Sequence, residues 1–201
     1  MSKTKTGTTA AFNTNTDAIA AFFTVVTSGG GNYGNVTWLM QNVFVPNDAN
    51  PPTVPRLGIA VGADPAGPQF VGVDEVTAFF TALLSDSFPN SSFYAVPNTL
   101  YCYSSPDGKK IDGNTITLQA RLDTGVINLP WHPQTIKKNF YSLPLSDIDP
   151  DPAKKATSRV PACAVFTFDP GSHMIKQLAV YMDRWQMAAD LWSKNRAFPH
   201  P

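Results

Sequence analysis

Apolar residues recur along two segments of the chain at the spacing of an amphipathic helix. In the first segment they stand at i, i+3, i+4 and i+7, and in the second they form one continuous stripe. These residues are Ile19, Phe22, Phe23 and Val26 in the first segment, and Val76, Phe79, Phe80, Leu83 and Leu84 in the second. Each pattern predicts a helix that buries one face.

The residues that flank these stripes predict where each helix begins and ends. Thr16 or Asp17 can accept a backbone N–H at the start of the first helix, and Asp74 can do so for the second. Three consecutive glycines at 29–31 are expected to end the first helix, because glycine adopts the left-handed stop conformation at the least cost. A shorter apolar segment at 36–40 leads into Val43–Val45, a predicted short strand that Pro46 ends.

The spacing changes from helical to strand-like after residue 91. Segment 114–123 alternates strictly, so that two sets of four residues face opposite sides of a strand. One set is Ile116, Leu118, Ala120 and Leu122, and the other is Thr117, Gln119, Arg121 and Asp123. Further strands are predicted at 92–103, 160–168 and 174–183, and a closing helix is predicted from Trp185 to Trp192.

The other segments lack the pattern of a regular element. Residues 1–15 are polar and rich in threonine, which is typical of a disordered tail. Segments 47–70 and 128–158 hold many prolines and are expected to be long loops. A chain of 201 residues favours one domain, placed here at 16–201. Helices that are separate in sequence from a run of strands predict an α+β fold.

Composition and charge restrict the partners that this chain is expected to have. Lys and Arg total 15, as do Asp and Glu, so the formal net charge is zero. Nucleic acids and anionic membrane surfaces select a basic face, so we expect neither as a partner. Two cysteines in apolar, strand-like runs favour a reduced, cytoplasmic protein. No histidine spacing typical of metal sites and no nucleotide-binding fingerprint occurs, so neither a metal nor a cofactor is expected.

Four local patterns occur in a fixed order along the chain: the Phe22-Phe23 helix with Gly29, the segment 71–80, the segment 166–171 with Met174-Ile175, and the Tyr181-Met182-Asp183 end of the last strand. Together they resemble the nuclear transport factor 2-like superfamily, which includes SnoaL-like polyketide cyclases and ketosteroid isomerase. The resemblance covers about residues 16–195. It implies a cone in which a curved antiparallel or mixed sheet wraps around helices and leaves an apolar pocket. Because this fold carries many reactions and also plain binding proteins, the resemblance implies a pocket and leaves the reaction open.

The resemblance to ketosteroid isomerase can be followed residue by residue. The tyrosine that donates to the oxyanion falls on Phe22, and the protonated aspartic acid falls on Ala164. Neither side chain can donate a hydrogen bond, so ketosteroid isomerase activity is not expected. The general base falls near Asp48, whose position among prolines fits a solvated turn residue as well.

Arg121-Leu122-Asp123 resembles the Arg-x-Asp element of limonene-type epoxide hydrolases, whose second aspartate falls on Val180 here. Residues two apart on a strand share a face, so Arg121 and Asp123 act together or not at all. Two interpretations are open. The pair is either catalytic within the pocket or part of a solvent-exposed outer face with Thr117 and Gln119.

The inward stripes also define the residues expected to contact a ligand. They are Phe22, Trp38, Phe44, Phe79, Ala164, Val180 and Met182. Small Ala162 and Ala164 opposite large aromatic rings leave room, so we expect an apolar small molecule as the ligand. Whether the protein is an enzyme of this class, a non-catalytic binding module or a protein-interaction module stays open. A homodimer through the outer face of the sheet is expected, because Ala179 and Tyr181 face outward on the last strand.

Overall fold

A computed structural model of the protein describes residues 12–46, 56–60, 70–81, 84, 92–104, 111–123 and 159–182. Three helices lie within this part of the chain: α1 (Asn15–Val26), α2 (Val36–Asn42) and α3 (Val73–Thr81). The strands of the same part are β1 (Arg56–Ala60), β2 (Phe70–Val71), β3 (Ser92–Ala95), β4 (Tyr101–Ser104), β5 (Ile111–Asp123), β6 (Arg159–Phe168) and β7 (Ile175–Met182).

The strands form one mixed sheet in the order β2-β1-β7-β6-β5-β3, and β4 pairs with β5 beside β3. Strands β5, β6 and β7 are antiparallel neighbours, whereas β1 runs parallel to β7. The sheet does not close, since β2 and the β3–β4 pair form its two edges. The predicted α+β class, with a mixed sheet, is confirmed.

One face of the sheet packs against the helices and forms the core. Positions on β5, β6 and β7 alternate between buried residues that face the helices and residues that face away. The buried positions of these strands are Ile116, Leu118, Ala120, Leu122, Val160, Ala162, Ala164, Phe166, Phe168, Ile175, Leu178 and Val180. Buried residues of all three helices belong to the same apolar cluster. We call the helix-covered side the inner face and the opposite side the outer face.

Helix α1 begins earlier than the sequence predicted. Thr14 is the residue that caps it: its hydroxyl accepts from the Asp17 backbone N–H at 3.1 Å, and its own N–H donates to Asp17 Oδ2 at 3.0 Å. This reciprocal pair is a capping box, so Asp17 acts from the third helical position and not as the cap itself. Phe12 packs against the core, which places residues 12–15 of the predicted tail within the fold. Residues 1–11 lie outside the described residues.

The glycines at 29–31 do not end α1 in the way expected. The helix stops at Thr27, whose backbone is extended, and Thr27 N–H still donates to the Phe23 carbonyl. Gly30 is instead required for close packing against Thr24, because a Cβ there would overlap the Thr24 carbonyl oxygen. Helix α3 also differs, since Gly72 at φ +96° precedes its first residue and Asp74 lies in the first turn.

The segment 47–70, predicted to be a loop, contains strand β1 and the first residue of β2. The prolines of this segment flank these strands without interrupting them. Strand β1 pairs in parallel with β7, which is distant in sequence, and its backbone hydrogen bonds go to that partner. Local composition does not reveal such a pairing. The segment 128–158, the predicted helix from Trp185 to Trp192 and Asp183 lie outside the described residues.

Two further strand predictions need correction. Segment 92–103 is not one strand: β3 and β4 each pair with β5, and between them Asn98 adopts a positive φ of 61°. Val43–Val45 forms a single bridge between Phe44 and Ile175 instead of a strand. The bridge nonetheless joins this segment to the start of β7, because Val45 N–H donates to the Ile175 carbonyl at 3.0 Å.

Candidate functional site

The interior is aromatic where α1 crosses the sheet. Phe22 of α1 is buried, and its ring centroid lies 5.3 Å from Phe23, 6.3 Å from Phe44, 6.1 Å from Phe80 and 5.4 Å from Phe166. All four pairs meet edge to face, the arrangement that aromatic quadrupoles favour. Phe22 therefore stands at the centre of an aromatic cluster that joins the first helix to the inner face of β6.

The other predicted ligand contacts lie in or against the same core. Phe44, Phe79, Ala164 and Val180 are buried, and the Phe79 ring centroid lies 4.6 Å from that of Phe70. Trp38 and Met182 are half-buried and pack against the cluster. The structure thus brings the seven predicted residues to one apolar interior, while their contact with a ligand remains a proposal.

The inner face of the sheet carries three adjacent small side chains, which we call the alanine floor: Ala120, Ala162 and Ala164. Ala162 is the register partner of both Ala120 on β5 and Met182 on β7. Ala164 stands between Leu118 and Val180 in the same way. Sequence reasoning included Ala162 and Ala164 but missed Ala120. Strict alternation on β5 predicted that Ala120 faces inward, but its pairing with Ala162 required the register.

Ser92 is the one polar residue among the buried side chains that the structure describes. Its hydroxyl accepts from Ser28 N–H at 2.8 Å and is also hydrogen-bonded to Ser28 Oγ. This pair joins the end of α1 to β3, so its role is explained by packing.

Phe22 and Ala164 are the positions at which the predicted resemblance put the hydrogen-bond donors of ketosteroid isomerase. Both side chains are buried and belong to the apolar core.

Arg121 and Asp123 lie on the outer face of β5. Strand alternation gives the inward positions to Ala120 and Leu122, so neither charged side chain points into the core. Arg121 Nη2 donates to Asp123 Oδ2 at 2.9 Å, and Nε lies 2.8 Å from Oδ1. The charged pair therefore does not line the apolar interior, and a catalytic role for Arg121 and Asp123 stays a prediction.

Two neighbours that sequence reasoning missed complete this group, which we call the outer-face ion cluster: Tyr94, Arg121, Asp123 and Arg159. Arg159 Nε lies 3.4 Å from Asp123 Oδ1, across from it on β6. The Arg121 guanidinium carbon lies 5.1 Å from the centroid of the Tyr94 ring on β3. Neither contact has a local sequence signal, because both depend on the register between strands.

A second polar arrangement holds the turn between β6 and β7. Asp169 Oδ1 accepts from Gly171 N–H at 3.1 Å and from the N–H and hydroxyl of Ser172, both at 2.8 Å. Partial burial raises the pKa of Asp169, but the hydrogen bonds from Ser172 and Gly171 and the charge of Lys176 outweigh it and lower the pKa below its ordinary value of 3.8. The turn also contacts α1, since His173 Nδ1 donates to Asn15 Oδ1 at 2.8 Å.

Asp48, the predicted general base, lies outside the described residues, so its role stays a prediction. Within the described ranges no group of three or more His, Cys, Asp or Glu side chains comes together, and the absence of a metal and of a cofactor stays a prediction. None of the helices in this part of the chain has the length and apolarity that crossing a bilayer takes.

In the described part of the chain three helices cover one face of an open, mixed sheet, and solved structures described as SnoaL-like polyketide cyclases share this fold. The predicted resemblance is confirmed at the level of the fold.

The solved structures that show this are of proteins described as candidate polyketide cyclases. One, from Jannaschia sp. CCS1, is 12% identical with a TM-score of 0.52, covering 94% of this chain and 97% of that one. Another, from Acidithiobacillus ferrooxidans, is 15% identical with a TM-score of 0.53, covering 88% and 93%. A third, from Xanthomonas campestris pv. campestris, is 12% identical with a TM-score of 0.53, covering 88% and 96%. No protein-family model and no curated protein matches the sequence.

Proposed function

We propose that the protein binds an uncharged, apolar small molecule between its helices and the alanine floor. The observation that carries this proposal is the apolar interior in which three small side chains of the sheet lie beside one another. Small residues among large aromatic ones leave space that a ligand can fill. Removing roughly 200 Å2 of apolar ligand surface from water contributes about 5 kcal/mol at about 25 cal/mol per Å2.

The similarity of fold supports a small-molecule ligand. The matching solved structures are described as candidate cyclases of polyketides, and fold similarity at this level does not carry a reaction to this chain. Asp48 remains our candidate for a catalytic base. The alternative is a binding module without catalysis, and a turnover assay with an Asp48→Asn variant separates the two only after a ligand is known.

A fluorescence titration with the uncharged probe N-phenyl-1-naphthylamine tests the binding proposal. Ala164→Phe fills the floor and is expected to weaken binding by about tenfold or more, because overpacking and loss of space both oppose the ligand. Trp38→Ala should weaken binding less, since Trp38 contributes one wall. Val165→Phe introduces the same ring on the outer face of the same strand and serves as the control.

Circular dichroism must show that each variant is folded, and Ala164→Val provides a milder substitution if Ala164→Phe is not. Equal probe affinity in the wild-type protein and a folded Ala164→Phe variant contradicts the proposed position of the site. Absence of binding to the wild-type protein contradicts the proposal itself.

We also propose that two copies associate through the outer face. Tyr181 is 37% exposed and Tyr101 is 58% exposed on this face, and the residues between them on β6 and β7 are the small or apolar Val165 and Ala179. Tyrosine is enriched at protein–protein interfaces. The 44 residues of β1, β3, β4, β5, β6 and β7, at about 3.3 Å each along strands about 4.8 Å apart, present roughly 700 Å2, close to the roughly 800 Å2 per partner of a stable interface.

Light scattering after size exclusion tests this association. Tyr181→Lys places a charge at the centre of the face and is expected to shift the dimer to a monomer. Ala78→Lys, at an exposed position of α3 on the helical side, introduces the same side chain and should leave the dimer intact. A monomeric wild-type protein at high micromolar concentration rules the interface out.

A further inference from the structure

The outer-face ion cluster joins the ends of three strands. Asp123 is the last residue of β5 and Arg159 is the first residue of β6, and the two are register partners. One carboxylate thus contacts an arginine of its own strand at 2.8 Å and an arginine of the next strand at 3.4 Å. Arg121 also lies over Tyr94 of β3, its register partner on the other side. The cluster therefore links β3, β5 and β6 at one end of the sheet.

The same strand ends carry part of the alanine floor on their inner face. Arg121 stands between Ala120 and Leu122, and Ala120 pairs with Ala162 of β6. Leu122 pairs with Val160 of β6 and with Phe93 of β3. Because neighbouring residues of a strand point to opposite faces, any shift of the backbone at 120–123 displaces both the cluster and the floor. Interior side chains are close-packed, so such a shift changes the space beside them.

We propose that Arg121, Asp123 and Arg159 are positioning residues: from the outer face they fix the backbone of the strands that carry the alanine floor, and so they set the shape of the ligand site. The inference rests on the proposed binding function. It gives the Arg-x-Asp element a role without bringing its charges into contact with an apolar ligand. One hydrogen bond, from Arg121 Nη2 to Asp123 Oδ2, supports the ion pair, and Arg159 adds a second cation to the same carboxylate.

A specific consequence is that binding of an uncharged ligand depends on ionic strength. The side chains are partly open to solvent, at 41% for Arg121, 23% for Asp123 and 71% for Arg159. Added salt therefore screens their attraction, since the screening length falls from about 10 Å at 0.1 M to about 3 Å at 1 M. Probe affinity of the wild-type protein is expected to fall relative to Asp123→Asn as sodium chloride increases, because only the wild-type protein has an ion pair to lose.

The test measures N-phenyl-1-naphthylamine affinity and amide hydrogen exchange in the same set of variants. Asp123→Asn at low salt should weaken binding about threefold to tenfold, the range expected for a partly exposed ion pair in which one carboxylate contacts two arginines. It should also speed amide exchange at 120–122 and at Val160 and Ala162, but not at 115–117 and 165–167, which lie farther along the same strands. Arg121→Gln removes the positive charge and should also weaken binding. Arg121→Lys keeps the charge and should bind the probe more tightly than Arg121→Gln does.

Asp74→Asn makes the same chemical change at an exposed position on α3 and is the matched control. If the wild-type protein binds the probe and Asp123→Asn binds it equally with the same salt response, the inference is wrong while the binding function stands. If the wild-type protein does not bind the probe, the proposed function fails. The exchange measurement then decides independently whether the cluster fixes the strand ends. Equal exchange rates at these strand ends in the wild-type protein and in Asp123→Asn would contradict that role.

Discussion

At the scale of single residues, Gly30 shows how a glycine can be required for space. The Thr24 carbonyl accepts from Asn32 N–H at 3.2 Å as the chain turns back after α1, which brings Gly30 against the helix. A Cβ at Gly30 would lie 2.8 Å from the Thr24 carbonyl carbon, whereas Gly29 and Gly31 face open space. The sequence shows three equivalent glycines, and only the path of the turn distinguishes them.

We expect Gly30→Ala to lower the free energy of unfolding by about 1–3 kcal/mol, because the added methyl group collides with rigid backbone. Gly29→Ala is the control and should change stability by less than about 0.5 kcal/mol or raise it slightly. Urea denaturation of the three proteins measures both values. Equal stability of the two variants would mean that the turn does not approach Thr24 as described.

The orientation of Arg121 and Asp123 is the residue-scale question that the sequence left open. Alternation on β5 puts two sets of residues on opposite faces, but it does not show which face the helices cover when one side is polar and partly buried. Packing decides it: Leu118 and Leu122 join the core, and the charged pair turns outward to Tyr94 and Arg159. Packing therefore determines the face that the pair occupies, and the short motif alone did not indicate it.

At the scale of elements, the turn between β6 and β7 depends on one carboxylate. Asp169 accepts three hydrogen bonds from Gly171 and Ser172, and the turn residue His173 has a φ of +57°. These bonds pin the turn that sets the register of the two strands. The turn also reaches α1, because Phe12 N–H donates to the Ser172 carbonyl at 3.1 Å.

Asp169→Ala is expected to lower the free energy of unfolding at neutral pH by about 1–2 kcal/mol, as loss of a capping acceptor does. The pKa of Asp169 is lowered in the folded chain, so its stabilisation is complete above about pH 4 and is lost as the pH falls through the folded pKa. The gap between the wild-type protein and Asp169→Ala should therefore shrink in acid. Asp169→Asn, which keeps an acceptor, is the control; a gap that stays constant down to pH 2 would contradict this account.

Elements held together by their own pattern were predictable, and elements held by distant partners were not. Helices α1 and α3 and strands β5, β6 and β7 follow from spacing alone, because their apolar positions repeat at 3.6 or 2 residues. Strand β1 contains no such signal and lies in a proline-rich segment, yet it pairs along its whole length with β7. The break between β3 and β4 was also missed. It lies where Asn98 adopts a positive φ, a conformation that the apolar pattern does not reveal.

At the scale of the whole molecule, the sequence predicted the α+β fold and its apolar interior more fully than it predicted the site. The seven residues expected near a ligand all lie in or against one core, because inward stripes converge in a single-core fold. The pairing of Ala120 with Ala162 and the outer-face ion cluster needed the strand register, which no local pattern encodes. The fold similarity to candidate polyketide cyclases agrees with the predicted class.

The central claim is that an apolar molecule binds on the inner face of the sheet, and methyl-detected NMR with bound N-phenyl-1-naphthylamine tests it most directly. Ala164 and Val180 face inward, and Val165 and Ala179 stand next to them on the same strands but face outward. We predict intermolecular NOEs from the probe to the methyl groups of Ala164 and Val180 and none to those of Val165 and Ala179. NOEs confined to the methyl groups of Val165 and Ala179, or no NOEs at saturating probe, would contradict the account.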